Sequence, residues 1–172
     1  MKAITIRRAT RNDATAITDI LVASQWFTYE KLYSVDYITK LIGQYYSVQR
    51  IEQEIVSINE EWHGYFIAET DGKIVGAIGG GMTSKTAGEV YVFYLDPLMR
   101  GMGIGTRLLD FFTKIQKYTY GAHEQWVSVA KGNDYGIPFY EARGFIFQHE
   151  EFAYGTSKED QDISLKYKRD IN

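Results

Sequence analysis

Apolar and polar positions alternate in short runs and elsewhere recur at helical spacing, and these changes of period predict the elements. Ala3 to Arg8 reads as a short strand. Thr10 then stands as a helix N-cap with Asp13 three positions on, and Ile17, Ile20 and Leu21 carry the helical spacing to about Tyr29. From Ser34 to Ile58 the pattern stays helical, with Ile51, Ile55 and Ile58 at i, i+4 and i+7, and it divides into two helices near Gly43 to Ser47. Tyr65 to Glu69 and Lys73 to Ile78 flank Asp71-Gly72, a dipeptide that accepts positive φ, so they pair as an antiparallel hairpin. Glu89 to Leu95 is a β-branched and aromatic strand, followed from Gly105 to Tyr118 by a helix with Leu108, Leu109, Phe112 and Ile115 on one face. Trp126 to Ala130 is a further strand and Asp134 to Arg143 a short helix ended by Gly144. Ile146 to Tyr154 and Asp162 to Tyr167 are two more strands. The result is an α+β chain with a sheet of mixed strand direction.

Composition narrows the class. A chain of 172 residues is the size of one domain, spanning 1–172, at about 150 residues per domain. With 45% hydrophobic and 24% charged residues it has apolar surface enough to offset its ordering entropy, which excludes extensive disorder. There is no internal repeat or linker, and neither proline, Pro97 or Pro138, marks a boundary. The net charge of −3 argues against a nucleic-acid partner, which favours a basic excess. Residues 51–100 alone carry −5, readable as a solvated acidic face or as attraction for cationic ligands. Cysteine is absent, so disulfides, thiolate nucleophiles and Cys-ligated zinc are excluded. Met1 to Arg11 lacks a signal peptide's apolar segment, and no apolar run approaches the ~20 residues that span a bilayer. A cytoplasmic protein with no membrane partner is expected.

The chemistry concentrates between the Glu89 to Leu95 strand and the helix after it. There Asp96-Pro97-Leu98-Met99-Arg100-Gly101-Met102-Gly103-Ile104-Gly105-Thr106 places three alternate glycines before a helix N-terminus. First-turn amides lack intrahelical partners, the helix dipole is positive there, and missing Cβ atoms let an anion approach closely. Arg100 adds a forked positive charge. A dinucleotide fingerprint would need glycine at Thr106 or Leu108, and a nucleoside-triphosphate loop would need Gly-Lys before Ser or Thr; neither is present.

Arg100-x-x-Gly103-x-Gly105, behind an apolar strand and Asp96-Pro97, resembles the coenzyme A pyrophosphate loop of the GNAT superfamily of acyl-CoA-dependent N-acetyltransferases. Asn133, followed by Phe139-Tyr140, Glu141 and Gly144-Phe145, resembles the C-terminal motif of that family. The resemblance covers Ile4 to about Tyr167 in element order, with specific residues in Val90 to Gly105 and Trp126 to Phe145. One departure is Gly136, where the family often has alanine, and Pro138 stands inside the helix start. What the resemblance implies is a mixed, mostly antiparallel central sheet flanked by helices, with two splayed parallel strands that bind acetyl-CoA.

The same resemblance distributes the work of acyl transfer. Phe93 and Leu95 would offer backbone groups to the pantetheine arm. Arg100, Gly101, Met102, Gly103, Ile104, Gly105 and Thr106 would bind the diphosphate, and Asn133 would cap its helix and touch the cofactor. Tyr140 would pass its proton to the coenzyme A sulfur, and a strand bulge in relatives aims an N–H at the acetyl oxygen. Glu89 is the first candidate base, with Tyr91 and Glu30 behind it. His63, His123 and His149 are isolated and imply no metal. The expected reaction is direct attack by a primary amine in a ternary complex. A small-molecule acceptor such as a polyamine would lie against the acidic segment and Trp26, Phe27, Tyr29 and Tyr33. A protein or peptide amine, entering between the second helix and the Ile146 to Tyr167 hairpin, and a non-catalytic acyl-CoA-binding module are the alternatives. The family also allows a homodimer.

Overall fold

Tyr65, Phe66, Ile67 and Ala68 are all buried, because this strand has a helical layer on each face, and the remaining architecture follows from that two-sided demand. The computed structural model describes residues 3–152 and 163–172. Its elements are β1 (Thr5–Arg8), α1 (Ala14–Tyr29), α2 (Val35–Tyr45), α3 (Val48–Val56), β2 (Tyr65–Thr70), β3 (Lys73–Met82), β4 (Ala87–Leu95), α4 (Ile104–Lys114), β5 (Glu124–Ala130), α5 (Gly136–Glu141), β6 (Ile146–Phe152) and β7 (Ile163–Asp170). The strands form one sheet in the order β1-β2-β3-β4-β5-β7-β6, antiparallel throughout except for the β4–β5 pair.

The two faces are packed by different helices. Ile17 and Leu21 of α1 and Ile51 and Ile55 of α3 meet Tyr65, Ile67, Ile74 and Ala77 on one side. On the other, Ile104, Leu108, Leu109 and Phe112 of α4 meet Phe66, Ala68, Ile78, Val90, Val127 and Val129, with Tyr140 and Phe145 closing the layer. Most predicted elements stand. Thr10 and Asp13 form the expected capping box, now over a 3₁₀ turn (Arg11–Asp13) that precedes α1. Asp71 at φ 53° and Gly72 at φ 71° make the β2–β3 turn as read from their sequence.

Several boundaries need correction. The first strand starts at Thr5, not Ala3. β3 runs on to Met82 through Gly79-Gly80-Gly81, and β4 begins at Ala87 rather than Glu89. The helix expected over Gly105 to Tyr118 starts at Ile104 and ends in a π-helical turn, Ile115–Thr119. The helix expected from Asp134 to Arg143 is only Gly136–Glu141, because Asn133 Oδ1 turns the chain by accepting from the amides of Tyr135 and Gly136. The predicted strand ends at Tyr154 and Asp162 lie outside the described residues.

His63 packs into the interior beside α4. It is fully buried, its ring stacked at 3.7 Å on Tyr120 and near Phe112. Burial, helped by the nearby Arg8 charge, lowers its pKa from 6.5 to about 4. The unfolded chain therefore takes up this proton near pH 6.5 and the folded chain only near pH 4. The folded state keeps its full stability above pH 6.5 and loses about 1.4 kcal/mol per pH unit on the way down to 4. Urea unfolding at pH 7 and pH 4.5 should show this slope in the parent protein, and His63→Phe should flatten it.

Candidate active site

The parallel pair β4–β5 is joined only from Ala87–Glu124 to Val90–Val127, and beyond that point the strands part. The parting begins at a bulge. Gly79 faces Val92 and Gly80 faces Val90, so Tyr91 is an extra residue in β4. The glycines opposite are required, since a Cβ on Gly80 would sit 2.0 Å from the Glu89 carbonyl oxygen. Past the bulge, Asp96 N donates to Val75 O, which makes Leu95–Gly76 a non-hydrogen-bonded pair of the antiparallel ladder. The same phase holds two residues earlier at Phe93–Ile78. The N–H and C=O groups of Phe93 and Leu95 therefore point away from β3 into the gap. Ser24 Oγ, reaching down from α1, donates to Leu95 O at 2.7 Å.

A cavity fills the gap. Phe93, Leu95, Arg100, Gly105, Asn133 and Tyr140 line it, as do Tyr29 and Tyr91, which were also named from sequence, together with Thr28, Val90, Tyr94, Ser128, Val129, Tyr135, Gly136 and Phe139. Gly101, Met102, Gly103, Ile104 and Thr106 lie in the adjoining loop and first turn rather than in the wall. Gly101 (φ 79°) and Gly103 (φ 78°) take the left-handed conformation that brings the chain into α4, and Gly103 is its N-cap. Gly105 has another reason: a Cβ there would press on Leu95 and Phe139 at 3.3 and 3.4 Å. The first α4 amide bonded within the helix is that of Arg107, to Gly103 O, so Ile104, Gly105 and Thr106 keep N–H groups with no partner inside the helix. The Ile104 side chain is in the core. Thr106 Oγ1 receives Arg143, whose Nη1 also donates to Phe139 O at 2.8 Å, tying α5 to the start of α4.

Arg100 is half-buried with its guanidinium over Tyr135 at 4.6 Å and Phe27 at 5.2 Å, and its Nε is buried without a hydrogen-bond partner. Burial lowers its pKa from the ordinary arginine value. A desolvated cation with an unused donor beside free helix amides is poised to gain strongly from an anion. Tyr140 is buried on α5 against Phe93, Phe139 and Phe145. Burial, then the neighbouring Tyr94 phenol, hold its pKa well above 10, so it is protonated and can donate. Tyr29 and Tyr94 form the α1 side of the cavity, where Gln25 Nε2 donates to the hydroxyls of Tyr94 (2.7 Å) and Tyr46 (3.1 Å).

The candidate bases fare differently. Glu89 stands behind the wall, not in it, and both of its carboxylate oxygens accept from Lys166 Nζ at 2.9 Å. Tyr91 lines the cavity, with its pKa raised by burial and by Glu89. Glu30 is exposed at the end of α1, outside the wall. The acidic segment 51–100 does not gather there: Glu69 pairs with Arg7 and Glu54 with Arg50 on other parts of the surface. Of the aromatics proposed as an acceptor cradle, Tyr29 lines the cavity and Phe27 packs on Arg100, while Tyr33 stacks between Tyr29 and Tyr37.

Sequence reading missed Ser128, Lys166 and Gln116. Lys166 and Ser128 carry no local signal, because their partners come from distant strands. Gln116 is fully buried in the π turn, and its Nε2 donates to Gly81 O (3.3 Å) and Glu89 O (3.2 Å) at the root of the bulge. Its Oε1 accepts from Gln125 Nε2 at 3.1 Å. The signal was present one strand away, in the run Gly79-Gly80-Gly81, since glycine inside a strand marks a bulge or close approach. Gln116→Leu should cost about 3 kcal/mol in urea unfolding, because it strands buried carbonyls that no other described side chain serves.

With this geometry in place, the comparisons with known proteins are specific. The sequence model of the Acetyltransferase (GNAT) family matches residues 12–145. A spermidine N(1)-acetyltransferase of Thermoplasma acidophilum is 30% identical over 143 residues, covering 83% of this chain and 88% of that protein. The crystal structure of the PaiA N-acetyltransferase from the same organism, in complex with coenzyme A, superposes with a TM-score of 0.81 at 27% identity, covering 97% of this chain and 99% of that one. The ribosomal-protein-S18-alanine N-acetyltransferase of Escherichia coli shares the fold, with a TM-score of 0.72 at 16% identity over 99% of this chain and 95% of that one.

Proposed function

The chain belongs to the GNAT family of acetyltransferases, and from that premise we propose that it transfers the acetyl group of acetyl-CoA to a primary amine of a small cationic molecule of the polyamine class. The observation that carries the cofactor half is the cleft itself: outward-facing backbone groups of Phe93 and Leu95, free amides at the start of α4, and a desolvated Arg100 with an unpartnered Nε converge on one gap. These suit a long amide-bearing arm ending in a diphosphate. The acceptor half rests on the likeness to a spermidine acetyltransferase at 30% identity.

When bound, acetyl-CoA supplies an acetyl group activated as a thioester. In this reading the chain's residues do the following. Phe93 and Leu95 hold the arm by backbone hydrogen bonds, and the Gly101 to Thr106 turn, with Arg100, neutralises the diphosphate. Asn133 fixes the start of α5, so that Tyr140 projects into the cavity near the parting strands. The bulge at Tyr91 turns a backbone amide toward the gap as a donor for developing negative charge on the carbonyl oxygen. Glu89, which Lys166 holds on both carboxylate oxygens, takes the proton of the attacking amine once that lysine is displaced. Tyr140, kept protonated by burial, gives its proton to the departing sulfur. The chain has no cysteine for a covalent thiol relay, and in this reading attack is direct, with both substrates present together.

Two variants test the assignments. Tyr140→Phe should lower kcat by about 10² while the KM for acetyl-CoA changes less than about threefold; equal loss in both would make the phenol a binding group. Arg100→Ala should weaken coenzyme A about tenfold by calorimetry, in line with loss of a charged hydrogen bond. Release of coenzyme A should be fastest with polyamines in a panel that also holds aminosugar antibiotics, amino acids and peptides. Turnover confined to peptides would overturn the small-cation reading.

A further inference from the structure

Behind the Ser128 wall of the cavity sits a primary ammonium with its hydrogen bonds complete. Ser128 of β5 and Lys166 of β7 are direct cross-strand partners, and Val127 and Val129 on either side of Ser128 face the α4 core, so the pair lies on the opposite face of the sheet. Lys166 Nζ is 2.9 Å from each carboxylate oxygen of Glu89 and 2.9 Å from Ser128 Oγ. An alkylammonium has three N–H donors, and here three oxygens receive them. The side chains of Lys166 and Glu89 are 12% and 15% exposed. Few surface lysines are held this way, because surface ion pairs are wet and loose.

From this geometry we infer that Glu89 and Ser128 form the subsite for the acceptor's primary ammonium, and that Lys166 is its built-in occupant. The inference rests on the small-cation reading and deepens it. A cationic acceptor must displace Lys166 to reach Glu89, which makes Lys166 a specificity-determining residue. The displaced ammonium has a resting place at hand: Glu151 Oε1 on β6 is 3.9 Å from Nζ, and that carboxylate is about half exposed. A four-carbon stem with a point charge at its end can make this short move without moving the backbone. The subsite borders the cavity through Ser128, beside Tyr91 and Val90 and on the same gap as Tyr140.

The test is calorimetric titration of 1,4-diaminobutane into protein saturated with coenzyme A, which carries no acetyl group and so cannot react. Removing an internal competitor should raise the apparent affinity of Lys166→Met by about tenfold, while Lys166→Arg keeps the parent value. Glu89→Gln added to Lys166→Met should abolish the gain. Lys166→Gln, which keeps a polar end, should follow Lys166→Met, and thermal unfolding of each variant reports whether the fold is kept. Diamine binding to folded Lys166→Met or Lys166→Gln that equals or falls below the parent overturns the assignment. Acetyl transfer to small amines by the parent, with no gain in variant binding, overturns it while leaving the proposed function intact. A gain in binding with no acetylation of any small amine supports the ammonium subsite and counts against the proposed function instead.

Discussion

Two parallel strands that stay hydrogen-bonded for four residue pairs and then separate are the constraint on which the rest of this molecule depends. Parting a sheet exposes main-chain donors and acceptors on both sides of the gap, and such groups cannot be left without partners in a dry interior. The protein meets this by placing the gap where a ligand with its own amides can enter. It also braces the root of the gap with polar side chains. Gln116 holds the carbonyls of Gly81 and Glu89, Gln125 holds Gln116, and Arg169 reaches Gln125 Oε1 at 3.1 Å and Arg143 O at 2.9 Å. Arg143 continues the chain to Phe139 O and Thr106. The bulge, the start of α4 and the helix bearing Tyr140 are thus positioned by one connected set of hydrogen bonds, largely buried, in which loosening one member costs its neighbours their partners.

Electrostatics across the cleft divide along the same line. At one end Arg100 is half-buried over Phe27 and Tyr135, burial lowers its pKa, and its Nε has no hydrogen-bond partner. In the middle, burial raises the pKa of Tyr29 and Tyr140, so the phenols there stay protonated. At the far end Glu89 and Lys166 neutralise each other. A half-buried cation, a set of protonated phenols and a neutralised ion pair follow in order along one gap.

How much of this was legible in the sequence depends on how far apart the cooperating residues lie along the chain. The glycine turn before α4 and the Asn133 to Phe145 segment are local, and their residues have to stand at fixed spacing, so both could be read from the chain and both line or border the cavity. The hairpin at Asp71-Gly72 was legible for the same reason. The shortened α5 was not legible in the same way, because its start is set by Asn133 Oδ1 taking the first-turn amides of Tyr135 and Gly136. Nor was the state of Glu89: its strand position could be read, but its partner lies 77 residues away in another strand. The −5 of residues 51–100 does not mark one place in the fold, since Glu69, Glu54 and Glu89 pair with Arg7, Arg50 and Lys166 in different parts of the molecule.

The two halves of the cleft are therefore built of different material, and this bears on how each can change. The cofactor half is backbone: amide directions set by strand phase and helix start, with glycines at Gly80, Gly101 and Gly103 that other residues could occupy only at the cost of strain or collision. Such a site tolerates little variation, because altering it means altering secondary structure. The acceptor half, as proposed, is side chain, with Glu89, Ser128 and Lys166 on three neighbouring strands whose backbone pairing is independent of what those side chains are. Exchanging one of them changes charge and donor count at the amine subsite without touching the ladder beneath. A fold arranged this way can change the side chains of the proposed subsite without rebuilding the cleft.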